Sequence, residues 1–147
     1  MRGYRDIRVG VPLRDETKTR ARALQMLYAW EAQGQPPMEL ASDLPGEFRL
    51  RPRDRGRAER LAASVAAQLT SLDREIEAAA DNWRFERIGA VEKNILRLGL
   101  FELKAGEVPA PVAIDEAVKL AHWFAGPRAP GFVNGVLDAL ARRLGRL

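Results

Sequence analysis

The chain has 147 residues, 46% of them hydrophobic and 30% charged, values that fit one globular domain able to bury a core without staples. It carries a formal charge of +4 and no cysteine, so disulfides and thiolate metal sites are excluded, and no apolar run approaches the ~20 residues of a membrane span. The positive side is nearly all arginine, with lysine only at Lys18, Lys93, Lys104 and Lys119. Arginine's planar fork suits phosphate, so the balance leans toward nucleic acid.

The opening MRGYRDIRVGVPLR is basic and lacks the apolar stretch of a signal peptide, which predicts a cytoplasmic address. With Gly3, Gly10 and Pro12 and no sustained period, residues 1–14 read as a flexible basic arm, and 15–147 as the helical domain. Asp15-Glu16-Thr17 supplies N-cap and acidic first-turn residues for a helix whose apolar face is Ala23, Leu24, Leu27, Tyr28 and Trp30. Pro36-Pro37 stops it near Gly34. A short helical turn covers Met38 to Ala41, and Ser42 to Pro52 reads as a loop.

Asp54 is the N-cap candidate for the longest helix, in which Ala58, Leu61, Val65, Leu69, Leu72, Ile76 and Ala79 step by three or four into one seam. Asp81-Asn82 breaks it, and Trp83 and Phe85 are expected to plug the junction. The last third predicts three helices in a row, from Arg87 to Leu103, Pro111 to Phe124 and Phe132 to Leu144. Their apolar stripes are Ile88, Val91, Ile95, Leu98 and Leu103; then Ile114, Ala117, Val118, Ala121 and Phe124; then Val133, Val136, Leu137, Leu140 and Leu144. Gly106 and Pro109 separate the first two; Gly126-Pro127 and Pro130-Gly131 frame the connection to the third. Nothing alternates with a strand's period, so the fold class is all-α.

Catalytic chemistry finds no support in these residues. His122 is the single histidine, and beside Trp123 it reads as a partly buried side chain; no HExxH spacing or Gly-rich phosphate loop occurs. The acid pairs Asp115-Glu116 and Glu75-Glu77 belong to helix ends or exposed faces, not to a cleft. The pattern calls for no cofactor, no metal and no enzyme activity. One local rule is broken: Asn134-Gly135 inside the last helix costs roughly 1 kcal/mol relative to alanine, which points either to close helix packing or to a surface kept clear for a ligand.

Three blocks carry a likeness: TRARALQMLYAWE in the first helix, VEKNILRLGLFEL in the middle, and PVAIDEAVKLAHWF followed by GFVNGVLDAL at the end. In order and spacing they resemble the NusB family of transcription antitermination factors, from about Thr17 to Leu144. The resemblance implies two small three-helix bundles packed together. It also implies binding of boxA-type single-stranded RNA from ribosomal RNA leaders, jointly with the ribosomal protein NusE, in support of RNA polymerase that ignores terminators. Carried onto this chain, it implies RNA contacts at Lys18, Arg20, Arg22, Phe132 and Asn134, and partner contacts at Tyr28 and Glu92; Arg128, just before the last helix, stands where the family often carries an acidic or neutral residue and is a further candidate for the same RNA. Glu16 and Thr17 depart from the family's arginine-rich start, and the arm's Arg2, Arg5, Arg8 and Arg14 are candidates to replace those charges. The structural alternatives are a core position for Phe132, an intrahelical ion pair for Glu92, and solvated helix faces for the arginines. The resemblance leaves monomer and homodimer open. Two other functions stand beside it: a NusB-like domain serving rRNA modification, and a helical protein-binding adaptor.

Overall fold

The computed structural model describes residues 12–32, 44–80 and 85–147. Among them run six α-helices: α1 (Asp15–Ala32), α2 (Pro52–Ala66), α3 (Leu69–Ala79), α4 (Ala90–Ala105), α5 (Ala110–Phe124) and α6 (Ala129–Arg143). Single 3₁₀ turns at Gly46–Phe48 and Phe85–Arg87 precede α2 and α4, and no strand occurs among the described residues. The turn expected at Met38 to Ala41, the break at Asp81-Asn82, Trp83 and most of the basic arm lie outside those residues.

Helices α4 to α6 pack mutually, α1 and α2 pair with each other and lie against α4, and α3 lies on α4 and α6, with a single core running through them. The centre is α4, which packs against all five other helices. Its sequence predicts one apolar stripe, yet every residue from Asn94 to Leu100 is buried. A helix enclosed on all sides must hide polar residues as well, and those need partners because an unpaired buried polar group costs several kcal/mol. Hence Arg97 is gripped by both carboxylate oxygens of Asp73 on α3, at 2.6 and 2.8 Å, and by Glu31 on α1 at 3.1 Å. Asn94 donates to Glu31 at 2.9 Å and to the Ala90 carbonyl of its own helix. On the opposite side Gly99 lets α4 close on its bundle partners: a Cβ there would fall 2.7 Å from Leu137 Cδ1 of α6 and 3.5 Å from Ala117 Cβ of α5. The expected end at Gly106 holds, because that residue takes the left-handed conformation (φ 69°) and its N–H donates to the Glu102 carbonyl.

Three expectations are corrected. The single long helix from Asp54 is two helices, broken at Ala67 and Gln68 with no proline or glycine to announce it. The split lets α2 pack on α1 while α3 packs on α4 and α6, which one straight rod does not reach. Asp54 is not the N-cap: Pro52 starts α2, where its missing N–H is no loss, and Arg51 caps it. Asp54 sits buried in the first turn, bonded to Arg51 at 3.1 Å and paired with Arg57 at 3.6 Å. The last helix begins at Ala129 rather than Phe132, since Pro130 is tolerated in a first turn, so Pro130-Gly131 is helical and not connection.

Candidate nucleic-acid interface

The faces of α1 separate its basic residues by role. Thr17, Arg20, Leu24 and Leu27 follow the three-four spacing of the buried side. Arg20 is accordingly 6% exposed, with Nε 2.8 Å from Glu102 of α4 and Nη1 3.4 Å from Glu116 of α5. Burial works against its charge, but the Glu102 hydrogen bond and the fields of Glu102 and Glu116 raise its pKa above the ordinary arginine value. Glu116 is 1% exposed and accepts from Thr17 at 2.7 Å and Lys119 at 2.9 Å, with Arg14 at 3.4 Å. Desolvation opposes its ionisation; the hydrogen bonds from Thr17 and Lys119 and the charge of Arg20 outweigh it and hold the carboxyl below its usual range. This knot ties the first half of α1 to α4 and α5.

Lys18 and Arg22 lie one turn apart on the other face, half-buried and exposed respectively. Arg22 donates to Gln25 at 2.8 Å, and neither cation has a carboxylate within ion-pair range among the described residues. Of the three basic positions expected on α1, two therefore face outward and Arg20 faces inward, already held by two acids. The expectation of thin charge at Glu16 and Thr17 meets a Thr17 that is buried as the donor to Glu116.

At the α5–α6 edge, Arg128 is exposed at the N-cap of α6. Phe132, half-buried, packs against the core with part of its ring outward, so it sits between the two alternatives set by the sequence. Asn134 and Gly135 are exposed, and a Cβ at Gly135 would meet nothing within 4 Å. Close packing is thus not the reason for that glycine; the glycine that packing requires is Gly99.

Tyr28 and Glu92 flank the far end of the α1–α4 contact. Tyr28 is half-buried one turn before Glu31, whose carboxylate holds Asn94 and Arg97. Glu92 is half-buried in the first turn of α4, where a carboxylate favours the helix dipole, and forms no ion pair among the described residues. His122 is half-buried on α5. Sequence reasoning missed Glu102, Glu116, Arg97 and Phe48. Glu116 was readable, because it falls at helical spacing between Ala113 and Leu120 on the apolar side of α5. Phe48, from the segment read as loop, is 2% exposed, with its ring 4.8 Å from Trp123 and 5.2 Å from Phe124.

Basic and aromatic groups on the outside of a helical frame, with its buried acids Asp54 and Glu116 committed to ion pairs, fit a binding scaffold. The NusB family model matches residues 17–142, and the chain belongs to the NusB family. The relatives it matches are transcription antitermination proteins and not enzymes. It is 42% identical over 129 residues to the transcription antitermination protein NusB of Sorangium cellulosum, covering 87% of this chain and 92% of that protein. To the NusB of Solibacter usitatus it is 40% identical, covering 86% and 88%. Among solved structures, it superposes with a TM-score of 0.71 and 29% identity on the antitermination factors NusB and NusE in complex with dsRNA, covering 89% of this chain and 98% of that one. The solution structure of NusB from Aquifex aeolicus matches with a TM-score of 0.70 at 27% identity, covering 92% and 94%. No helix among the described residues is long and apolar enough to cross a membrane.

Proposed function

We propose that this chain is a transcription antitermination factor that binds RNA together with NusE and acts in the cytoplasm as part of an antitermination complex with RNA polymerase. The likeness to a NusB–NusE–RNA assembly over nearly the full length of both chains carries the reading. Its RNA is of the boxA type, unpaired, from ribosomal RNA leaders. Lys18 and Arg22 hold phosphates, Arg128 adds a third cation, and Phe132 and Asn134 offer a ring and an amide to a base; such stacking is worth ~1–3 kcal/mol. Arg20 fixes the attitude of α1 through Glu102 and Glu116 rather than touching RNA. NusE docks on the end marked by Tyr28 and Glu92.

Gel shifts with a boxA-like single strand and with its duplex, each with and without NusE, test the proposal. Binding to the single strand is expected to be modest alone and tightened by NusE, and Phe132→Ala is expected to weaken it at least fivefold. Equal binding to duplex and single strand, or no effect of NusE, overturns the respective part of the reading.

A further inference from the structure

Among the described residues six arginines, Arg14, Arg20, Arg51, Arg57, Arg97 and Arg142, are paired with carboxylates, and three of the others line one hollow. Arg20 and Arg97 are enclosed by acids, and Arg51 and Arg57 are tied to Asp15 and Asp54. Between α1, the 3₁₀ turn and the start of α2 lies a cleft of about 570 Å³ whose lining includes Arg22, Arg49 and Arg55, with Phe48 and Leu50 at its base. All three arginines are exposed, and none has a carboxylate within ion-pair range among the described residues. Three guanidinium groups around one hollow repel one another, a cost that an anion in the hollow would offset. Their fork geometry matches phosphate oxygens.

Two features connect the cleft to the face described above. Arg22 is the next residue along the Lys18 side of α1, so a strand held at Lys18 leads into the cleft one helical turn later. Phe48 packs on Trp123 and Phe124 at the end of α5, from which the connection to Arg128 and α6 departs. We propose that this cleft is a second phosphate-binding station, which takes the backbone of RNA extending beyond the segment held by Lys18 and Phe132. It rests on the RNA reading given under Proposed function. Its specificity is for charge and not for base, because the arginines meet phosphates.

Fluorescence anisotropy of a labelled boxA-like RNA with single-stranded extensions at both ends, titrated over a range of salt, tests the inference. The double variant Arg49→Gln/Arg55→Gln is expected to bind about tenfold more weakly at 0.1 M salt. Loss of two phosphate contacts should flatten the slope of log K against log salt by about 1.4, at ~0.7 per contact. Arg57→Gln, whose charge is engaged by Asp54, is expected to stay within twofold of the unmodified protein. Thermal melting of each variant verifies that the fold is intact. If the double variant keeps both affinity and slope while Lys18→Ala weakens binding, the station is refuted and the RNA reading stands. If its defect appears only when NusE is present, the cleft is a protein-docking surface and the inference is wrong. If the unmodified protein ignores the RNA at every salt, the RNA reading fails and takes the cleft with it.

Discussion

Replacing Arg20 and Lys18 separately by alanine distinguishes a residue that holds the frame from one that holds the ligand. The Arg20 side chain is 7% exposed and Glu116 is 1% exposed, so water screens their interaction little. Breaking a buried pair by removing one partner costs about 3–5 kcal/mol. Glu116 keeps Thr17 and Lys119, and Glu102 is open enough to rehydrate, which places Arg20→Ala near the lower end, about 3 kcal/mol. For a domain near this size, that corresponds to a fall in Tm of roughly 6–12 °C. Lys18 has no such partner among the described residues, and its replacement should shift stability by no more than about 0.5 kcal/mol. In RNA titrations well below both melting points, Lys18→Ala should lower the salt slope by about 0.7, and Arg20→Ala should leave it unchanged. The assays are thermal denaturation by circular dichroism and anisotropy over a salt series. An Arg20→Ala protein that melts like the unmodified chain yet loses salt slope would refute the burial argument and return Arg20 to the RNA face.

Glycine substitutions give a second contrast, read by chemical denaturation. Gly135→Ala fills open space in a helix and is expected to stabilise by about 0.5–1 kcal/mol, whereas Gly99→Ala forces the enclosed Leu137 aside, so overpacking of about 1–3 kcal/mol cancels or reverses the same helix gain. Glu116 predicts an acid limb of stability: its folded pKa lies below the ordinary value of 4.5, so its contribution is complete above that pH and is lost as pH falls through the folded value. Glu116→Gln should be less stable at pH 7, with the gap closing in acid; a constant gap from pH 7 to 3 excludes this linkage. Phe48→Ala, which empties the ring's seat against Trp123 and Phe124, is expected to cost about 3–5 kcal/mol by urea unfolding, and a cost under 1 kcal/mol contradicts its place in the core.

Helices α1, α5 and α6 were legible as elements because their apolar residues recur at helical spacing and their ends carry acids or prolines, and the end of α4 because Gly106 follows it. The outward placement of the proposed interface residues was legible for the same reason: Lys18, Arg22, Arg128 and Asn134 fall off the apolar phase and are half-buried or exposed. What the chain's order of residues settles is local, since helical period, capping and the tolerance for proline act within a few positions of one another. The break at Ala67 and Gln68, the enclosure of α4 and the inward turn of Arg20 depend on neighbours far along the chain. Arg20 pairs with residues 82 and 96 positions away, and nothing in a local pattern separates it from Lys18 or Arg22. Its fate was fixed by which helices close around it, because a buried guanidinium is tolerated only where carboxylates from other elements arrive at the same point.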